Sequence, residues 1–107
     1  MEPRLALART RQFGRWYESL PDVDRTRVDA RLDEMSCGRF GDSRSLGRGL
    51  FELKWKNGLR VYYSRARVAG VDVLALWGGY KGSQSRDIEK ARRLRERYEN
   101  EVEEDER

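Results

Sequence analysis

Histidine is absent from the 107-residue chain, and cysteine occurs only once. Without histidine the chain cannot build a Ser-His-Asp triad, and it lacks the most common general base at neutral pH. The single cysteine, Cys37, cannot close an internal disulfide, and it has no histidine with which to form a catalytic pair or a zinc site. Any catalysis must therefore use Lys, Arg, Tyr, Asp or Glu, and we expect no metal or other cofactor.

Long apolar runs are also missing. The longest, Val73 to Trp77, has five residues, whereas a membrane-spanning helix needs about 18. The N-terminus, MEPRLALARTR, lacks the continuous apolar region of a secretory signal. A length near 100 residues suits one hydrophobic core. We therefore expect a single domain over residues 1–107 that is soluble, cytoplasmic and without a membrane partner.

Charge is distributed unevenly along the chain. Residues 96–107 hold seven acids and two arginines, a net charge of −5, which leaves +9 on residues 1–95. A basic body favours a nucleic acid or another anionic partner. The acidic end, residues 99–107, is expected to fray.

Two amphipathic helices are predicted near the N-terminus. Phe13, Trp16, Tyr17 and Leu20 share one helical face and predict a helix over about 9–20. After Pro21, apolar residues recur at helical spacing up to Gly38 and predict a second helix. The glycine-rich stretch 38–49 is expected to be an irregular loop.

Period-two alternation follows and predicts two strands that meet at Asn57-Gly58. A three-residue loop, Lys56-Asn57-Gly58, gives the better register, because it collects the apolar residues on one face. In this register Trp55 pairs with Leu59, Leu53 with Val61 and Phe51 with Tyr63, and Tyr63 belongs to the core. The other face then carries Lys54 opposite Arg60 and Glu52 opposite Tyr62.

A third strand and a last helix complete the predicted fold. The largely apolar stretch 71–77, interrupted by Asp72, suits an internal strand buried on both sides, and Gly78 to Gly82 is predicted to be a turn. Ser83 is a candidate N-cap, and Asp87 lies in the first turn of a helix that runs to about residue 102. The fold class is α+β: two N-terminal helices packed on a small antiparallel sheet, followed by a C-terminal helix.

The polar face of the predicted hairpin is the candidate site. Like charges directly opposite each other, as in Lys54 and Arg60, destabilise a strand pair, and a bound phosphate would offset the repulsion of these residues and the nearby Lys56. Tyr62 could hydrogen-bond or stack on a base. Equally, these residues could form a solvated surface on which Glu52 forms a diagonal ion pair with a basic side chain. Further cations would extend the basic surface from neighbouring loops and strand ends: Arg44, Arg48, Arg65 and Lys81.

The chain resembles the RelE/ParE superfamily of type II toxins, in particular its HigB-like addiction-module killer branch, over about residues 10–95. The matching motifs are R-L at Arg31-Leu32, G-x-F-G-D at Gly38 to Asp42, E-L-[RK] at Glu52 to Lys54, R-V-Y-Y at Arg60 to Tyr63 and G-G-x-K-x-[ST]-Q-x-x-D-I-x-x-A at Gly78 to Ala91. Two features depart from the branch, namely Tyr80, where Asp is usual, and the short hairpin at Lys56 to Gly58.

The resemblance implies a RelE-like fold and a toxin that enters the ribosomal A site, cleaves mRNA and is neutralised by an antitoxin encoded beside it. Metal-free cleavage needs a base, positive charge on the phosphate and an acid. Lys54 is the candidate base, because the positive charge of Arg60 and Lys56 favours its neutral amine. Arg60 would stabilise the phosphate, with Lys81 assisting, and Tyr62 is a candidate acid.

Two other functions stay open at this point. One is a ParE-like toxin that acts on DNA gyrase without chemistry of its own, since members of one fold differ in target. The other is a degenerate RNA-binding or partner-binding module.

Overall fold

A computed structural model of the chain describes residues 4–65 and 70–105 and shows a five-stranded sheet with helices on both faces. The elements in chain order are β1 (Leu7–Arg9), α1 (Arg11–Glu18), α2 (Asp22–Ser36), β2 (Ser43–Gly47), β3 (Leu50–Lys54), β4 (Leu59–Ser64), β5 (Val73–Tyr80), a 3-10 turn (Lys81–Ser83) and α3 (Gln84–Asp105). Of the acidic end, residues 99–105 continue α3, and Glu106 and Arg107 lie outside the described residues.

The sheet has the strand order β1-β5-β4-β3-β2, and it separates two apolar clusters. On one face α1 and α2 contribute Phe13, Val28 and Leu32 to the larger cluster. On the other face α3 covers the sheet with Ala91 and Leu94. The predicted α+β architecture is therefore confirmed.

The hairpin of β3 and β4 has the predicted register. Phe51 pairs with Tyr63, Leu53 with Val61 and Lys54 with Arg60. Gly58 has a φ of 94°, a left-handed conformation that glycine adopts without steric strain. Tyr63 is 1% exposed, within the larger cluster, so its assignment to the core is confirmed.

The sequence analysis did not predict two of the strands, β1 and β2. β1 lies at the sheet edge and pairs in parallel with β5, so the sheet is mixed rather than wholly antiparallel. β2 forms within the stretch 38–49 that was predicted to be a loop, and it pairs with β3. β1 is only three residues long and pairs with a strand more than 60 residues later in the chain. β2 is adjacent to β3 in sequence, but its residues, SRSLG, show no apolar alternation, so local periodicity reveals neither strand.

Gly78 and Gly79 belong to β5, and the prediction of a turn over residues 78–82 is wrong in its first half. These glycines are needed because other groups approach the strand closely from both sides. A Cβ on Gly78 would lie 2.3 Å from Cζ3 of Trp16, and one on Gly79 would lie 2.0 Å from Oδ2 of Asp87. The 3-10 turn begins only at Lys81.

Gly78→Ala is expected to lower the free energy of unfolding by about 2–3 kcal/mol, because the Trp16 ring has to move out of a packed layer. For a domain of this size that corresponds to a fall in Tm of roughly 10–20 °C, measurable by thermal circular dichroism. Gly82→Ala is the matched control, since a Cβ there meets nothing within 4 Å. Equal melting of Gly78→Ala and the unaltered chain would contradict this packing.

Candidate functional site

Two rows of residues cross the sheet on the face that α3 covers. Strand pairing aligns the members of the first row, Arg44, Glu52, Tyr62 and Trp77. The second row consists of Lys54, Arg60 and Gly79. The hairpin register thus brings the two candidate cations, Lys54 and Arg60, to adjacent positions on neighbouring strands.

Glu52 is the buried centre of this face, with 1% of its surface exposed. Its Oε1 accepts a hydrogen bond from Nε of Arg44 at 2.9 Å and lies 3.9 Å from Nε of Arg60. Its Oε2 accepts from Nε2 of Gln84 at 2.7 Å. A buried carboxylate requires such compensation. The Glu52 carboxylate therefore contacts two guanidinium groups and the first residue of α3.

Arg60 is largely enclosed, with 11% of its side chain exposed. Its Nη1 donates to the carbonyl oxygens of Leu59, at 3.2 Å, and Trp55, at 3.4 Å. The diagonal contact with Glu52 offsets part of the repulsion between Arg60 and Lys54. The structure thus contains the predicted diagonal contact between Glu52 and a basic residue, whereas the binding of an anion by Lys54 and Arg60 stays a prediction.

The lysine side chains near Arg60 are exposed to solvent. Lys54 and Lys56 are exposed at the end of β3 and in the turn. Lys81 is also exposed, and its backbone N–H donates to the Gly58 carbonyl at 2.8 Å. A Cβ on Gly58 would lie 3.6 Å from that of Lys81. The fold therefore brings Lys81 against the turn that joins Lys54 to Arg60.

Tyr62, which the sequence analysis assigned to the polar face of the hairpin, is buried in the structure. Its ring is 0% exposed and packs with Leu50, Leu76 and Leu94 beneath α3, so it has no surface on which a base could stack. Burial, followed by the negative charge of Glu52, raises the pKa of the Tyr62 phenol. The burial contradicts a stacking role, and Tyr62 instead belongs to the core.

Arg48 and Arg65 are placed away from Lys54 and Arg60. Arg48 precedes β3 and Arg65 follows β4, so both lie at the opposite end of the hairpin, roughly 13 Å or more along the strands. The Arg65 guanidinium lies 4.4 Å from the centre of the Phe40 ring. The structure does not bring these two predicted RNA-binding residues to the site. Arg44, with 57% of its side chain exposed, does adjoin it.

The start of α3 is fixed by polar contacts that the sequence analysis missed. Asp87, in the expected first turn, accepts from Nε1 of Trp77 at 2.9 Å and from Oγ of Ser83 at 2.5 Å. Gln84 begins α3 and reaches Glu52, as described above. The only signal for Gln84 was its fixed place after Lys81 in the last matching motif, because a single uncharged polar residue carries no periodicity.

Asp24 joins α2 to the turn beside the candidate site. This carboxylate is 7% exposed, and it accepts hydrogen bonds from the Tyr80 hydroxyl at 2.8 Å and from Nδ2 of Asn57 at 3.2 Å. Burial and the hydrogen bond to Asp24 raise the pKa of Tyr80. Tyr80, the departure from the toxin branch, thus ties the end of β5 to α2 immediately before Lys81.

Tyr80→Phe is expected to lower the free energy of unfolding by about 1.5 kcal/mol, because a hydrogen bond to a buried charged group is lost. Urea unfolding followed by fluorescence measures this. Tyr17→Phe is the matched control, because it removes a 2.7 Å bond to Asp29, whose side chain is 50% exposed, and it should change stability less. The reverse order of effects would contradict the role of Asp24.

The described residues offer neither a metal site nor a membrane span. Within 4–65 and 70–105, no group of three or more His, Cys, Asp or Glu side chains is arranged to hold a metal ion. No helix in the same ranges is long and apolar enough to cross a bilayer.

Comparison with known proteins places the fold and the family. An uncharacterized protein of Haemophilus influenzae is 35% identical in an alignment of 88 residues that covers 79% of this chain and 87% of that protein. No family model matches the chain.

Two solved structures share the architecture. The isolated E. coli RelE toxin aligns with a TM-score of 0.60 at 16% identity, covering 71% of this chain and 83% of that one. The toxin–antitoxin complex RelBE2 of Mycobacterium tuberculosis gives 0.50 at 19% identity, covering 75% and 94%. The chain therefore has the fold of the RelE toxin and belongs to the same family as the Haemophilus influenzae protein.

Proposed function

We propose that the chain is the toxin of a type II toxin–antitoxin pair, of the HigB-like branch, and that it cleaves mRNA on the ribosome without a metal ion. The observation that carries the proposal is the pairing of Lys54 with Arg60 on β3 and β4, with Lys81 packed against the same turn. The RelE toxin fold supports the same conclusion, and the family resemblance adds an antitoxin partner and a cytoplasmic site of action.

The proposed chemistry follows from the exposure of each group. Lys54 is exposed and accepts the proton of the 2′-OH while the 2′-oxygen attacks the phosphate. The guanidinium of Arg60 faces the negative charge that develops on the phosphate oxygens, and Lys81 adds positive charge from the turn. Lys56 and Arg44 flank these groups and bind neighbouring phosphates. With Tyr62 buried, protonation of the leaving 5′-oxygen falls to water or to Lys81.

The decisive experiment is cleavage of a reporter mRNA by the purified chain with and without ribosomes, mapped by primer extension. We expect cleavage that requires ribosomes and continues in EDTA once ribosome integrity is controlled for. Accumulation of gyrase-linked plasmid breaks with intact mRNA would favour the gyrase-directed alternative. If neither is observed and the chain still binds RNA, the degenerate binding module is favoured.

A further inference from the structure

The outward side of α3 carries a second concentration of positive charge. Arg86, Lys90, Arg93 and Arg97 follow one another at intervals of four, three and four residues, and all are exposed. This spacing places them on one face of the helix, along about 16 Å of its length. We call these four residues the outer basic face. The adjoining side of the helix, with Ala91 and Leu94, packs on the sheet.

The outer basic face forms one wall of an open groove of about 680 Å³. Gln12 of α1 also lines the groove. One acid lies among the cations: Oε2 of Glu89 is 3.7 Å from Nη2 of Arg93, with both side chains more than 70% exposed. A solvated pair of this kind contributes little, so the groove keeps a strong excess of positive charge.

The groove lacks the apolar residues that protein partners usually need. Protein interfaces are built around buried aromatic or aliphatic side chains. Leu94, which lines the groove, is only 6% exposed, and the exposed large apolar residues of the described ranges, Val23 and Tyr80, lie on other elements. No aromatic side chain lines the groove either, and unpaired bases need one to stack on. The Trp77 ring lies beneath Lys90, whose Nζ is 4.0 Å from the ring centre, so Lys90 occupies that face of the ring.

We propose that the outer basic face binds the phosphate backbone of double-helical RNA. A row of exposed cations suits a regular line of phosphates, which fix position without reading sequence. The Gln12 carboxamide can hydrogen-bond to a 2′-OH, the group that distinguishes RNA from DNA. The choice of RNA also relies on the proposed function, whereas the surface itself is separate from Lys54 and Arg60.

Binding to a fluorescent 20-base-pair RNA duplex, measured by anisotropy at several salt concentrations, tests the proposal without any cleavage. Each lost phosphate contact reduces the salt slope by about 1. Arg86→Gln/Arg93→Gln should therefore lower the slope by about 2 and weaken binding at least about tenfold near 0.1 M salt. Arg4→Gln/Arg25→Gln removes the same charge away from α3 and should bind within about twofold of the unaltered chain.

Three further outcomes would overturn the proposal. Equal weakening in both double variants would show a general charge effect. Binding of a DNA duplex or of single-stranded RNA as tight as that of the RNA duplex would remove the preference for double-helical RNA. Binding of a poly-glutamate peptide with equal affinity, and with the same loss in Arg86→Gln/Arg93→Gln, would point to an acidic protein partner. Duplex binding in a chain that fails to cleave mRNA would reject the proposed function alone.

Discussion

Replacement of Arg60 with glutamine is expected to lower the rate of RNA cleavage about a thousandfold while the chain stays folded. Under the proposed function its guanidinium stabilises the charge that the phosphate gains in the transition state. Loss of one donor to such a charge slows enzymes by about 10²–10³, and loss of a full positive charge places Arg60 at the upper end. Expression of the variant should no longer arrest growth, because RNA cleavage is lost.

Stability has to be measured on the same variant, because Arg60 also lies beside the buried Glu52. The stronger contacts of that carboxylate, with Arg44 at 2.9 Å and Gln84 at 2.7 Å, remain. We therefore expect a loss of only about 1–2 kcal/mol. Arg60→Lys keeps the charge without the planar donors and should retain part of the activity.

Arg25→Gln removes one positive charge from α2, where Arg25 pairs with Glu18 and Asp22, and should stay fully toxic. Full toxicity of Arg60→Gln would remove Arg60 from the site. A collapse of its Tm would assign Arg60 to the fold rather than to chemistry.

Lys54→Arg is expected to reduce the single-turnover cleavage rate about a hundredfold, with RNA affinity within about twofold of the unaltered chain. Arginine keeps the charge but does not give up its proton, so it cannot act as a general base, and general base catalysis contributes about 10²–10⁴. Because Lys54 is exposed, the fold should be unaffected. Lys54→Gln should lose both affinity and rate, since it removes the charge as well.

The pH dependence gives an independent check of the same assignment. An amine has to lose its proton before it can accept one, so the cleavage rate of the unaltered chain should rise with pH above 7. The rise should be absent in Lys54→Arg. An active Lys54→Arg variant with the same pH profile would leave Lys54 as a phosphate contact only.

The positions of the candidate site residues could be predicted from the sequence as far as the hairpin determines them. Alternation along β3 and β4 and the turn at Asn57-Gly58 defined the register, and the register alone aligns Lys54 with Arg60. The prediction failed for Tyr62, because alternation shows which residues share a face but not what covers that face. Arg48 and Arg65, which were grouped with the candidate site by charge, lie at the other end of the strands, and their role in RNA binding stays a prediction.

Contacts between residues distant in sequence were beyond the sequence analysis. Tyr80 was recognised as unusual for the toxin branch, yet its partner Asp24 lies 56 residues earlier in the chain. Gly78 and Gly79 suggested a turn, since glycine is common in turns. Their actual role depends on the approach of Trp16 and Asp87, which becomes visible only once α1 and α3 are packed on β5.

The sequence by itself determined the helices, the hairpin register and the basic character of the chain, because spacing, turn residues and charge act over a few neighbouring positions. Only the tertiary structure decided that α3 covers the polar face of the hairpin. That packing buries Glu52 among Arg44, Arg60 and Gln84, and it leaves Lys54 in solvent. The physical reason is that burial depends on which surfaces meet, and here the covering helix begins 20 residues after β4 ends.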